Sequence, residues 1–149
     1  MTEPKTGSQF TKVLVAVDLT DEARQVVDKA CAVAAAHDAE LSFLHVVEPV
    51  GYAYGGDIPM DLSELQQQME DTAKEQLNAL ASSCGVPSER QTVSVGRASS
   101  EIHRICEEQD ISLVVMGSHG RTGLQRLLGS TAAAVLHGAT CDVLAVHIE

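Results

Sequence analysis

"SLVVMGSHGRTGLQRLLGSTAAAVLHGATCDVLAVHI", Ser112 to Ile148, holds two apolar runs with a glycine-rich segment and a short helical pattern between them. Ser112–Met116 is a brief apolar run that reads as a strand. The glycine segment follows, and Ser130–His137 then reads as a short helix stopped by Gly138. Cys141–Ile148 is apolar again and forms the next strand. Both strands are apolar throughout rather than alternating, as parallel strands covered on two faces are.

The same order repeats toward the N-terminus. Thr11–Val17 (TKVLVAV) is a buried strand ending at Asp18, and Thr20 offers a helix N-cap with Asp21 and Glu22 in the first turn. Ala23, Val26, Val27, Ala30, Val33 and Ala34 recur at helical spacing up to about Ala36. Glu40–Val47 (ELSFLHVV) is the second strand. Glu48–Asp61 carries three glycines, two prolines and both tyrosines, and is a long loop. Asp61 with Glu64 has the spacing of a capping box. Leu62, Leu65, Met69, Ala73, Leu77 and Leu80 supply the buried face of the helix that follows, which Gly85 and Pro87 stop. Arg90–Val95 is the third strand, Gly96 the turn, and Ser99 or Ser100 the cap of a helix buried through Ile102, Ile105 and Cys106. The expectation is one α/β domain: an open five-stranded parallel sheet with helices on both faces, spanning residues 12–149 after a flexible tail at 1–11. Ligands of such sheets bind outside the carboxyl ends of the strands, near a topological switch point. Asp18, the end of the second strand and the loop after Met116 should converge there.

Composition narrows the function. The 149 residues are 44% hydrophobic and 21% charged, with no Trp, so the core is built from Val, Leu, Ile and Ala. A net charge of −11 with ten Lys and Arg in total argues against nucleic acid, whose phosphates each call for a cation. No apolar run approaches the roughly 20 residues of a membrane span, and the N-terminal residues do not resemble a signal peptide. A cytoplasmic protein is expected, without membrane insertion. Cys31, Cys84, Cys106 and Cys141 are scattered and read as reduced, mostly buried thiols, and neither they nor the six histidines have metal-site spacing. Glu101, Glu107 and Glu108 read as a solvated helix face. His45, in an apolar strand, reads as a satisfied core histidine, and His119 as a loop residue able to touch phosphate or face solvent.

Neither GxxxxGK[ST] nor a GxGxxG after the first strand is present, which disfavours P-loop and dinucleotide-binding chemistry. The loop after Met116 differs. Gly117 and Gly120 let backbone amides approach an anion closely. Gly129-Ser130-Thr131 opens a helix whose first N–H groups and hydroxyls can seat phosphate, with Arg121 and Arg126 between to balance charge. Glycines that only shape turns, and Ser and Thr that only cap a helix, explain the same residues equally well.

"KVLVAVD", "LHVVEP" and "VVMGSHGRTGLQRLLGSTAAAVLHGATCDVLAV", in this order, resemble the universal stress protein family over nearly the whole chain from Lys12. The resemblance implies a five-stranded parallel α/β fold of the adenine-nucleotide, Rossmann-like group, commonly a homodimer through the C-terminal strand. Its ATP-binding branch carries G-x2-G-x9-G-[ST]. Gly117, Gly120, Gly129 and Ser130 fit, with eight residues rather than nine between Gly120 and Gly129. The resemblance places Asp18 and Val46 beside adenosine, Ala16 and Val17 close by, and Met116 and Gly117 near the ribose. Gly120, Gly129, Ser130 and Thr131 would hold phosphates, and Arg121, chosen for its charge rather than by the resemblance, joins them as a binding residue. Mg²⁺ or Mn²⁺ can accompany the ATP, since phosphates recruit such cations with few protein ligands.

Three functions follow as expectations. The first is an ATP-binding regulator or sensor in stress response, acting on a protein partner, with no catalytic residues and at most slow hydrolysis. The second is a protein-interaction module of the same fold that binds no nucleotide. The third, an enzyme transferring adenylate or phosphate, lacks a recognisable nucleophile–base pair.

Overall fold

Five parallel strands form one sheet in the order β3-β2-β1-β4-β5. They are β1 (Lys12–Ala16), β2 (Glu40–Val47), β3 (Gln91–Val95), β4 (Leu113–Gly117) and β5 (Asp142–Val146). Among the described residues the helices between them are α1 (Ala23–His37), α2 (Ser63–Ser83), α3 (Ala98–Glu108) and α4 (Ser130–His137). The computed structural model describes residues 9–49, 62–118 and 129–148.

The strands are apolar throughout because both faces are covered. Val13, Val15, Val17, Leu41, Phe43, Leu113 and Val115 pack on one side against α1 and, through Leu77 and Ala81, α2. Leu14, Leu44, Val114 and Met116 point the other way and pack against Ile102, Ile105 and Cys106 of α3 and Ala132 and Val135 of α4. Successive residues of a strand face opposite sides, so one run of valines feeds two cores. Burying a side chain as large as Phe43, which is fully enclosed, contributes on the order of 2–3 kcal/mol.

Several local expectations are corrected. Thr20 does not cap α1: its hydroxyl donates to Asp18 Oδ1 at 2.8 Å and its amide to the same oxygen at 3.1 Å. These bonds close a turn at Leu19, whose φ of 60° is left-handed, and place Thr20 two residues before the N-cap, Glu22. The helix therefore starts at Ala23, with Asp21 and Glu22 outside it. Ser99 and Ser100 lie inside the first turn of α3, after Arg97 as N-cap. Asp61 falls outside the described residues; Leu62 is the N-cap of α2. Arg90 belongs to a 3-10 turn, Ser88–Arg90, and its Nε donates to the Leu41 carbonyl at 3.0 Å.

Glu101 is no freely solvated residue. Its side chain is 18% exposed and pairs with Arg104 Nη2 at 2.7 Å, and this pairing holds its carboxyl below the ordinary value. It also packs against Gly96, where an added Cβ would sit 3.1 Å from Glu101 Cγ. Of the four thiols, all unbridged, only Cys106 is buried; Cys31, Cys84 and Cys141 are partly exposed.

Candidate functional site

The chain starts at the centre of the sheet, winds out through β2 to β3, and returns to the other side of β1 with β4 and β5. From β1 it passes to α1 on one face, and the helix after β4 lies on the opposite face. The carboxyl ends of β1 and β4 thus part in opposite directions, and a crevice opens between them, as the switch-point rule requires. The cleft found there has a volume of about 1070 Å³.

Ala16, Val17 and Asp18 enter it from the end of β1, and Val46 from β2. Met116 and Gly117 come from the end of β4, while Gly129, Ser130 and Thr131 come from the start of α4. Nine sequence-selected residues therefore line one cleft. Gly120 and Arg121, with His119 and Arg126, lie outside the described residues.

Each group is placed by the fold beneath it. Val17 N donates to the Leu44 carbonyl at 3.0 Å, carrying the β1–β2 ladder one step beyond the strand. Asp18 comes next, and the bonds from Thr20 engage its Oδ1. No described residue engages Oδ2, which can accept a ligand hydroxyl. Leu19, left-handed and bulky, is the strained residue of this turn and also lines the cleft. At the other wall, Ser118 N donates to Val146 O at 2.8 Å and Gly129 N to Ser118 O at 2.7 Å. These bonds draw the start of α4 against the end of β4. Gly129, the N-cap, carries no side chain to cap the helix, while Ala133 N returns to Gly129 O at 2.9 Å. Amides of a first turn that opens on glycine, at the positive end of the dipole, are suited to an anion.

The Usp family model, described as "Universal stress protein family", matches residues 9–147. This chain belongs to the universal stress protein family. Universal stress protein A homolog 1 of Coxiella burnetii is 42% identical over 142 residues, covering 94% of this chain and 98% of that one. Among solved structures, the universal stress protein UspA from Lactobacillus plantarum superimposes with a TM-score of 0.68 at 26% identity, covering 95% of this chain and 99% of that one. A universal stress protein solved in complex with cAMP gives a TM-score of 0.61 at 27% identity, covering 94% and 98%.

In this universal stress protein the cleft has walls that the sequence did not separate from core. Leu65 and Met69 of α2, expected in the buried face, are 40% and 41% exposed, and both line the cleft with Gln68 and Thr72. Helical spacing identifies an apolar face but not whether protein or open space lies against it. His45 also lines the cleft, so it is more than a core residue; its Nδ1 lies 2.7 Å from Val17 O. Its position two residues before the end of β2 was the available signal, since strand ends border the crevice.

Proposed function

We propose that this universal stress protein binds ATP in the cleft and works as a nucleotide-dependent regulator or sensor in stress response. The observation that carries this is the convergence on one cleft of the end of β1, the end of β4 and the glycine-opened start of α4. These supply, in order, an acceptor for hydroxyls, an apolar wall and a seat for phosphate.

The residues present fit the ligand. Val46, Ala16 and Val17 give an apolar bed for the adenosine, and Asp18 Oδ2 accepts from a hydroxyl. Met116 and Gly117 border the ribose. The first-turn amides at Ser130 and Thr131, with the two hydroxyls, donate to phosphate oxygens, each such charge-assisted bond contributing about 1.5–3 kcal/mol. Gly120 completes this seat in the family pattern, and Arg121 after it can balance the phosphate charge. Among the described residues no three His, Cys, Asp or Glu side chains gather, so Mg²⁺ or Mn²⁺ would enter with the phosphates and be held largely by them. The neighbour in complex with cAMP supports an adenine-nucleotide class of ligand.

The same reading makes the protein cytoplasmic, and no described helix is long and apolar enough to cross a membrane. It makes hydrolysis slow at most, and it makes the protein a homodimer. β5 pairs with β4 on one side, and its other side meets no strand among the described residues. Val143 and Leu144 there are partly exposed, unlike Val114 and Val115 beside them, and an unpaired apolar edge favours a second copy. Occupancy of the cleft would be read out through the dimer or a protein partner.

The test is heat release of nucleotide from freshly purified protein, identified by chromatography, followed by calorimetric titration of the stripped protein with ATP, ADP and AMP. Stoichiometric ATP that rebinds, and that a Gly129→Val variant does not bind, is the expected result. An empty protein with no binding heat, with or without Mg²⁺, would instead favour an interaction module, the reading to which the shortened Gly120–Gly129 spacer points.

A further inference from the structure

The four cysteines, which no spacing in the sequence pairs, meet in twos. Cys106 and Cys141 are close enough for their thiols to interact. Cys31 and Cys84, on the other face of the sheet, are separated by 53 positions, yet Cys31 Sγ donates to Cys84 Sγ at 2.7 Å. Packing sets this closeness. Cys31 stands in the middle of α1, one residue after the fully buried Ala30. Cys84 is the C-cap of α2, its amide bonded to Ala81 O at 3.0 Å, and Ala81 is itself fully buried. Two anchored backbones therefore present the sulfurs to each other. Both residues are partly exposed, so a dissolved oxidant reaches them, whereas Cys106 is buried.

We propose that Cys31 and Cys84 are an oxidisable dithiol that closes to an intramolecular disulfide, tying α1 to the end of α2. Sulfurs in a disulfide lie about 2.0 Å apart, so closure moves them together by roughly 0.7 Å. The oxidant is a small dissolved disulfide such as oxidised glutathione. The Cys84 thiolate attacks one of its sulfurs, forming a mixed disulfide and releasing one glutathione thiolate. Cys31 then gives up its proton and attacks Cys84 Sγ, expelling the second. Two electrons pass from the two cysteines to the glutathione disulfide, and the two cysteine protons end on the two glutathione thiols. Burial pushes the Cys31 thiol up to about 12, which makes Cys31 the resolving rather than the attacking sulfur.

The bond would close a loop containing the segment after β2 and the α2 residues Leu65, Met69 and Thr72 that wall the cleft. Oxidation would therefore restrain that wall and stabilise the fold, independently of whether the cleft holds a nucleotide.

The experiment equilibrates the full-length native protein at about pH 8, near the ordinary thiol value, in buffers of graded oxidised-to-reduced glutathione. Acid quenching, alkylation of remaining thiols and a non-reducing peptide map by mass spectrometry follow. The expected result is a Cys31–Cys84 linked peptide as the first cross-link formed. Cys31→Ser should stop at glutathione on Cys84, and Cys106→Ser should form the bond as the wild type does. The oxidised protein should melt about 5–15 °C higher and return to its original Tm in dithiothreitol. The proposal is overturned if both thiols stay alkylatable across the series, if the bond forms only in urea, or if Cys106–Cys141 closes first. Should the serine variants misfold, the wild-type peptide map decides alone.

Discussion

His45 Nδ1 lies 2.7 Å from the main-chain oxygen of Val17, so an imidazole on β2 holds the chain where it leaves β1. A carbonyl only accepts, so the ring donates to it from Nδ1. With the Val17 amide bonded to Leu44, both polar groups of Val17 are held, one residue before Asp18 enters the cleft.

Replacing His45 with Phe keeps a ring of similar size and removes the donor. The orphaned Val17 carbonyl should cost about 1–3 kcal/mol in urea unfolding. Because the loss falls beside Asp18, affinity for ATP should drop several-fold in calorimetry. A full-affinity variant would mean that the bond serves folding alone.

Gly129 has φ −64° and ψ 163°, a conformation open to any residue. Gly129→Val should therefore leave the melting temperature within a few degrees, yet lower ATP affinity at least tenfold by crowding the phosphate seat. Ser130→Ala, which deletes a single hydroxyl donor, should lose about 1.5–3 kcal/mol of binding. Parallel losses of stability and affinity in Gly129→Val would point to a folding defect instead.

Gly138 ends α4 at close range to α3. An added Cβ would lie 2.7 Å from His103 Cε1, and the His103 ring is held by its Nε2, 2.8 Å from Val135 O. Gly138→Ala must push the ring off that carbonyl, at a cost of about 1–3 kcal/mol in the unfolding free energy. Adding His103→Ala should remove most of the penalty specific to Gly138→Ala, a coupling that a double-mutant cycle measures.

Glu101 sets part of the acid limb of stability. Its folded-state pKa is lowered from 4.5, first by its hydrogen bonds to Arg104. A lowered carboxyl contributes stability that is complete above the unfolded value and is lost as pH falls through the folded one. The loss should begin near pH 4.5 and continue below it. Glu101→Gln should be less stable than wild type at neutral pH, and the gap should close in acid; a constant gap between pH 7 and about 3 would show packing rather than charge at work.

The lengths of β2 and α4 were legible because each is bounded by local signals, an apolar run or a closing Gly138. Caps were less so. Thr20 has the chemistry of an N-cap, but the turn it closes with Asp18 leaves the helix to start at Ala23, after Glu22, and pattern alone does not place that start. Asp18, Met116 and Gly129 were legible as cleft residues because strand ends and helix starts border the switch point. Leu65 and Met69 were not, since the spacing that marks them as apolar is the same spacing that marks Leu77, which is buried.

By itself the sequence determined the alternation of strand and helix, the doubly covered parallel sheet, and which strand ends carry polar or glycine residues. Those follow from steric and burial preferences acting over a few residues. Only the tertiary structure decided that β4 returns beside β1, that α2 leaves one turn of its apolar face open to the cleft, and that Cys31 meets Cys84 across 53 positions. Such meetings depend on how all the helices together cover both faces of one sheet, and no segment of the chain encodes that coverage locally.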